Sequence, residues 1–390
     1  MKEARVLFYV QHLLGIGHLR RALTLVDAMG RHGLQVTMVS GGVPVLGMVS
    51  KFASFVQLPP ASTADLSFRQ LVDAKGLPVT EEWKQMRRQR LLDVLGEVDP
   101  HAVVLELFPF GRRQMRFELL PLLEAASRRK PVPVLVSSVR DVLGGGQKEP
   151  AKQDQMLLTF DRYFDHLLVH GDPDVIPFGA TFHHAARLAD RLHYTGYVVE
   201  QGAVPPKGTG AGPAVLVSAG GGAVGYTLMA NAIAAHGLSR LGDRRWLLLA
   251  GLNCGDTELA ELRALAWVEA GDGIQVERHR GDFVALLGSC RVSVSQGGYN
   301  TVMETLGVGA RAVLVPFAGG SETEQGLRAR LLAQRGWLGV VEEAVLSPVA
   351  LAMAIDAADL RADSPALTID MRGAQRSAEL LTAWIEARFS

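Results

Sequence analysis

Residues 292–330, VSVSQGGYNTVMETLGVGARAVLVPFAGGSETEQGLRAR, constrain this chain more than any other stretch. They read as strand, glycine turn, helix, strand, loop, helix. Val292–Val294 is short, apolar and β-branched, as a buried strand requires. Gln296-Gly297-Gly298 breaks it and lets the backbone come close to something else. A helix is expected to start near Asn300 or Thr301. Its first turn offers unpaired N–H groups and a positive dipole end, which suit a phosphate. Glu304 lies one turn inside, where a carboxylate can take two hydroxyls of a ribose. A second strand, Ala312–Pro316, leads to a loop carrying Glu324-Gln325, acceptors and donors suited to sugar hydroxyls. A plainer reading competes: Gly-Gly as an ordinary βα turn, and Thr301-x-x-Glu304 as a capping box.

A chain of 390 residues exceeds one ordinary core, so two domains are expected. Its charged share of 21% and hydrophobic share of 48% are those of a folded globular protein. The formal net charge of zero argues against a dedicated nucleic-acid binder. Two cysteines, Cys254 and Cys290, are too few for a disulfide framework or a CxxC zinc pattern, and a reducing cytoplasm fits them. The opening MKEARVLFYVQHLL lacks a signal-peptide cleavage pattern and reads as a first strand. No stretch stays apolar for the roughly eighteen residues a membrane span needs. Any membrane contact is therefore expected to be peripheral, at the inner face.

Taken in order, Arg5–Val10 reads as a strand, Gln11–Gly17 as a glycine loop, His18–Arg31 as an amphipathic helix and Leu34–Ser40 as a second strand. This is a right-handed βαβ unit. Gly15-x-Gly17 is only part of a dinucleotide fingerprint. Arg20 occupies the third glycine position, and strand two ends in Val39-Ser40-Gly41 without the acid that binds an NAD ribose. Leu58–Gly96 shows no clear strand but carries Lys84, Arg87, Arg88 and Arg90. Those four read as a solvated helix face before they read as an anion-attracting surface. His101–Leu107 is a strand with Glu106 near its C-terminal end, where an open α/β sheet faces its ligands. Val132–Ser137 and His166–His170 are further strands. Asp172-Pro173-Asp174 reads as a turn rather than a metal site. His183, His184 and His193 have no ligand spacing, and no metal is expected.

Residues 200–213, rich in Gly and Pro, read as a linker. The resulting domains are 1–199 and 214–370, with 371–390 as a closing amphipathic helix. In the second domain, Ala214–Ser218, Trp246–Ala250 and Ile274–Glu277 read as strands. Gly220-Gly221-Gly222 follows the first of them, and Arg278–Phe283 follows the third.

The string Gln296-Gly297-Gly298, Asn300-Thr301, Glu304, Gly309, Val315-Pro316-Phe317, Glu324-Gln325 and Arg328-Ala329 resembles the donor-binding half of GT-B glycosyltransferases. It is most similar to the MurG-like enzymes with the glycosyltransferase family 28 type of C-terminal domain, which join N-acetylglucosamine to a lipid-linked acceptor. The resemblance implies an α/β fold of two doubly wound Rossmann-like domains facing across a cleft, with the last helix returning to the first domain. It implies that Gly220, Gly221, Gly222, Gln296, Gly297, Gly298, Asn300 and Thr301 cradle a diphosphate, an anion site by geometry as well. It implies Glu304 on the ribose, Glu324 and Gln325 on the sugar, and the turn from Arg280 to Phe283 against the base.

In the first domain the same resemblance points to His18 as the base for an acceptor hydroxyl, beside Gly17 at a helix start that favours the neutral ring. Glu106 is the alternative base or the group that orients His18. Arg20 and Arg112 are candidates for an acceptor phosphate. The loop here is GIGHLRR rather than a glycine cluster followed by histidine and proline, which implies a different acceptor. The expected activity is inverting, metal-independent and cofactor-free transfer from a UDP-sugar, such as UDP-N-acetylglucosamine, to an acceptor glycan, lipid-linked or metabolite. The alternatives are a UDP-sugar 2-epimerase, for which no clear set of further acids is present, and a non-catalytic nucleotide-sugar-binding protein.

Overall fold

The computed structural model describes residues 4–13, 16–63, 70–144, 150–199, 212–220, 225–319, 323–361 and 369–390. The chain divides into two compact units, Met1–Val199 with Asp370–Ser390, and Glu200–Ile369.

The first unit runs β1 (Arg5–Val10), α1 (Gly17–Arg31), β2 (Gln35–Ser40), β3 (Ala53–Gln57), β4 (Ser62–Thr63), β5 (Leu71–Val72), α2 (Glu81–Val98), β6 (Ala102–Glu106), α3 (Arg116–Ser127), β7 (Val134–Arg140), α4 (Pro150–Tyr163), β8 (His166–His170) and β9 (Leu192–Tyr194). Its parallel sheet is ordered β3-β2-β1-β6-β7-β8-β9. The chain winds outward from β1 to β3, then crosses back to β6 on β1's other side. The strand order therefore reverses between β1 and β6.

Alternation along the strands fills both faces. Leu7, Tyr9, Val103 and Leu105 pack with Leu91 and Leu95 of α2 and Leu119 and Leu122 of α3. Val6, Phe8, Ala102 and Val104 pack with Leu19, Ala22, Leu25, Val26 and Met29, the apolar stripe of α1.

The second unit runs β10 (Val215–Ser218), α5 (Tyr226–Ala235), β11 (Trp246–Leu249), α6 (Asp256–Ala270), β12 (Ile274–Glu277), α7 (Phe283–Ser289), β13 (Val292–Ser295), α8 (Tyr299–Gly307), β14 (Ala312–Leu314), α9 (Glu324–Gln334), β15 (Gly339–Val340) and α10 (Pro348–Leu360). Its sheet is also parallel, ordered β12-β11-β10-β13-β14-β15, and reverses between β10 and β13. Both units are thus doubly wound.

The last helix, α11 (Gly373–Phe389), belongs to the first unit. Ala378, Leu381 and Ile385 join the α1 side of that core. Trp384 stacks on His166 with ring centroids 3.8 Å apart, and Arg388 donates to Asp165 at 2.9 Å. Gly373 starts the helix in close backbone contact: a Cβ there would lie 2.4 Å from the Gly196 carbonyl oxygen.

The strandless reading of residues 58–96 needs correction. β4 and β5 form a two-residue antiparallel pair there, too short to leave a periodic signal. The solvated-face reading of the α2 arginines fails at Arg87. Its side chain has no exposure and is held bidentate by Glu118, Nε to Oε2 at 2.6 Å and Nη2 to Oε1 at 2.9 Å. The Asp172 turn is a turn, with the Asp174 N–H donating to Asp172 Oδ1 at 2.9 Å.

Candidate active site

Ligands of doubly wound sheets collect outside the strand C-termini where the order reverses. In the first unit that point lies between β1 and β6, and it is where His18 and Glu106 meet. α1 begins at Gly17, so His18 is its second residue, while Glu106 is the last residue of β6. The His18 Nδ1 to Glu106 Oε1 distance is 2.7 Å. Glu106 is wholly buried, whereas 20% of the His18 side chain is exposed. Arg21, one turn further along α1 and also buried, forms an ion pair with the same Oε1.

The electrostatics favour an ionised glutamate and a neutral ring. Burial opposes the Glu106 charge, but His18, Arg21 and Arg112 outweigh it and hold the carboxyl well below its usual range. Burial lowers His18 to about 3, helped by the nearby charges of Arg140 and Arg112 and opposed by Glu106. The expected neutrality of His18 therefore comes chiefly from burial and two guanidinium groups. Arg112 sits at φ 57° and donates from Nε to the Gln11 carbonyl at 2.6 Å, tying the loop after β6 to the loop after β1. Arg20 is partly buried, with its N–H donating to the Ile16 carbonyl at 2.9 Å. Gly15 lies outside the described residues.

A second buried network braces these loops. Tyr9 donates to Glu118 Oε1 at 2.5 Å, and Arg87 reaches Gln11 Oε1 at 2.6 Å and the Gly41 carbonyl at 2.8 Å. Gln11 in turn donates to the Ala61 carbonyl at 3.0 Å. The segments after β1, β2 and β3 are thus fastened to α2 and α3.

In the second unit the reversal lies between β10 and β13, whose ends are level: Ser218 pairs with Ser295 in register. Gly220 follows β10 at φ 66°, and its N–H donates to Ser218 Oγ at 3.2 Å. Gly221 and Gly222 lie outside the described residues. After β13 come Gln296, then Gly297 at φ 87°, then Gly298 as the N-cap of α8.

α8 begins at Tyr299, earlier than expected, so Asn300 and Thr301 lie in its first turn. This removes the capping-box reading. The N-cap is Gly298, without a side-chain cap, and Thr301 is the third residue of the helix rather than its cap. Glu304 falls in the second turn and is 5% exposed. The first turn of α8 leaves N–H donors outside the helical ladder, whose first bond runs from Val302 to Gly298 at 3.0 Å.

The remaining residues sit on neighbouring segments. Arg280 makes a two-point ion pair with Asp282, at 2.8 and 2.7 Å. Phe283 opens α7 and packs partly buried near Leu249 and Val308. Glu324 starts α9 and accepts from Arg328 at 2.8 Å. Gln325 Oε1 accepts the Phe317 N–H at 3.2 Å. Among the described residues no cluster of three or more His, Cys, Asp or Glu could hold a metal.

Sequence reasoning missed Arg21, Arg140 and the Arg87–Glu118 pair. Arg21 was within reach, since a helix brings residues three apart to adjacent positions. Glu118 lies 31 residues from Arg87 and leaves no local signal.

Comparison with known proteins bears on the fold and on the family it resembles. Residues 235–381 match the model of the glycosyltransferase family 28 C-terminal domain. A UDP-N-acetylglucosamine–N-acetylmuramyl-(pentapeptide) pyrophosphoryl-undecaprenol N-acetylglucosamine transferase of Rhodopseudomonas palustris (strain BisB18) is 29% identical over 164 residues. That match spans 42% of this chain and 42% of the relative, so less than half the length of the curated protein is covered. Acinetobacter baumannii MurG superposes with a TM-score of 0.59 at 15% identity, covering 97% of this chain and 99% of that one. A UGT transferase from Siraitia grosvenorii in complex with UDP gives a TM-score of 0.55 at 14% identity, covering 99% and 95%. The fold is that of the GT-B glycosyltransferases. Within that class the chain is similar to MurG, and residues 235–381 are similar to the glycosyltransferase family 28 C-terminal domain.

Proposed function

We propose that this protein is an inverting, metal-independent glycosyltransferase that moves a sugar from a UDP-sugar to an acceptor hydroxyl. The observation that carries the reading is the pairing of His18 with the buried Glu106 carboxyl at the reversal point of the first sheet. In this reading Glu106 accepts a hydrogen bond from Nδ1–H and leaves Nε2 free to take a proton from the acceptor, the logic of a carboxylate-oriented histidine base. As that proton moves to His18, the acceptor oxygen bonds to the anomeric carbon from the face opposite the diphosphate. The bond to the diphosphate oxygen breaks and its electron pair leaves with UDP. Displacement in one step inverts the anomeric configuration.

The second unit binds the donor in this reading. N–H groups of the α8 first turn, with Gly220, Gly297 and Gly298, meet the developing diphosphate charge. Glu304 takes the ribose hydroxyls, Glu324 and Gln325 the sugar, and the segment from Arg280 to Phe283 the base. UDP-N-acetylglucosamine is the first donor to test, because the Rhodopseudomonas relative is named as an N-acetylglucosamine transferase. The acceptor side is proposed from Gly17, Arg20 and Arg112. No described helix is long and apolar enough to cross a membrane, so the membrane contact proposed here is peripheral.

A thermal-shift panel of UDP, GDP, dTDP and NAD tests the donor reading. A selective rise with UDP supports it, and a rise with NAD alone overturns it. The base is tested by UDP release from UDP-N-acetylglucosamine in the presence of a membrane-lipid extract or a pooled metabolite extract. His18→Ala should keep the UDP-induced shift and lose roughly 10²- to 10⁴-fold in turnover. Normal turnover in that variant would remove His18 from the mechanism.

A further inference from the structure

Two groups share one oxygen in the first unit. Glu106 Oε1 receives both the His18 Nδ1 contact at 2.7 Å and the Arg21 ion pair. The other oxygen, Oε2, is buried without a hydrogen-bond partner. Arg21 and Glu106 have no side-chain exposure. Arg21 stands three residues after His18 on α1, so one helix face delivers both groups to the end of β6.

The protonation of Glu106 decides which nitrogen of His18 carries a proton. A carboxylate only accepts, so Nδ1 must donate to it and Nε2 keeps its lone pair. A carboxylic acid would donate instead. Nδ1 would then accept, Nε2 would hold the proton, and the ring could take none from a hydroxyl. Burial alone favours the acid. An arginine cation against the carboxylate opposes that, and arginine does not deprotonate in proteins. Of the charges around the pair, Arg112 follows β6 and Arg140 ends β7, and both bear on His18. His170 of β8 is buried, with Ser138 at 2.7 Å and Thr195 at 3.0 Å from its ring nitrogens. Arg21 is in direct ion-pair contact with Glu106.

We propose that Arg21 is a positioning residue: its buried guanidinium keeps Glu106 a carboxylate and so fixes His18 as the Nδ1–H tautomer. Arg21 needs no contact with donor or acceptor for this. The proposal rests on the reading of His18 as the base, but its readout does not depend on turnover.

The test is nitrogen NMR of the full chain labelled with ¹⁵N-histidine, with His18 assigned by the signals lost in His18→Gln. Wild-type protein at neutral pH should show Nδ1 protonated and Nε2 as an acceptor. Arg21→Met should exchange the two nitrogen positions, and Arg21→Lys should restore the wild-type pattern. An Nε2–H tautomer in the wild type overturns the proposal. So does a folded Arg21→Met variant that keeps the wild-type pattern. If Arg21→Met does not fold, Arg21→Gln carries the same expectation without the charge. Failure here leaves UDP-selective stabilisation intact, whereas failure of the glycosyltransferase reading removes that stabilisation and leaves the tautomer untouched.

Discussion

The two units solve the same topological problem with different materials. Each sheet reverses its strand order beside its first strand, at β1/β6 in one and β10/β13 in the other. The first unit fills that region with buried charge: His18–Glu106–Arg21, braced by Tyr9–Glu118–Arg87–Gln11. The second uses backbone: Gly220 and Gly297 at positive φ, Gly298 as N-cap, and the first turn of α8. Side chains can hold a proton at a chosen atom, but only if every buried charge is matched. Backbone N–H groups cannot move protons, yet they meet an anion without carrying a charge of their own. Damage to the first unit should therefore appear as lost stability, and damage to the second as lost ligand affinity.

The largest expected effect is at Glu118. Glu118→Gln leaves Arg87 buried against a neutral partner, and breaking a buried ion pair costs about 3–5 kcal/mol. Urea unfolding of the first unit should report it. The double variant Arg87→Met, Glu118→Met should recover much of the loss, since an apolar pair carries no unmatched charge. A Glu118→Gln variant with wild-type stability would break the comparison at its first-unit end.

Acid should separate the units next. Burial and then the Arg21 charge lower His170 to about 3, and burial lowers His18 and His166 to about 3 and about 4. All three belong to the first unit. Their folded values lie below the ordinary histidine value, so the unfolded chain binds protons first as pH falls. The stability tied to these rings is complete above about pH 6.5 and is lost as pH drops toward the folded values. Each discordant histidine gives a slope of up to about 1.4 kcal/mol per pH unit. Hydrogen exchange at pH 7, 6 and 5, corrected for intrinsic rates, should show first-unit protection falling across this window. His170→Gln should flatten the slope.

How far the sequence discloses this contrast depends on range. The alternation of short apolar runs with glycine turns and helices is local, and it marks β1, β6, β10 and β13 and the ends where His18, Glu106 and Gly297 sit. Thr301-x-x-Glu304 misleads because the capping motif is also local, while the true N-cap, Gly298, is set by where β13 ends. Arg87 reads as surface because three neighbouring basic residues share its helix. Only tertiary structure brings Glu118, Tyr9 and Gln11 around it. β3 is an edge strand whose Phe55 is exposed, so its burial pattern lacks the clean alternation of a strand facing a core. Charge burial and edge position are decided by distant residues, and no window along the chain contains them.

A smaller effect separates stability from binding in the second unit. Gly298 has φ −59°, and a Cβ there would meet no heavy atom within 4 Å. Gly298→Ala should therefore leave unfolding within about 0.5 kcal/mol of wild type. A methyl group at the mouth of α8 would still hold a diphosphate away from the N–H groups. The expected loss in UDP affinity is roughly tenfold, about 1.4 kcal/mol, read by calorimetry. Gly297→Ala is the control that damages both, because φ 87° strains any residue with a Cβ. If Gly298→Ala binds UDP as tightly as wild type, the diphosphate does not approach the α8 mouth.

The smallest effect should come at Arg280, the one charged side chain proposed for the donor site that is paired at the surface. Its two bonds to Asp282 and its contact with Glu277 at 3.5 Å are geometrically good. Exposure lets water and salt replace them, so Arg280→Ala should leave the unfolding midpoint unmoved. If the base is read by main chain in this segment, UDP affinity should fall less than in Gly298→Ala, and the UDP-over-GDP preference should persist. A collapse of that preference in Arg280→Ala would mean that the second unit reads the base, like the ribose and the sugar, through a charged side chain. The division between a side-chain-built and a backbone-built site would then hold for the phosphate alone.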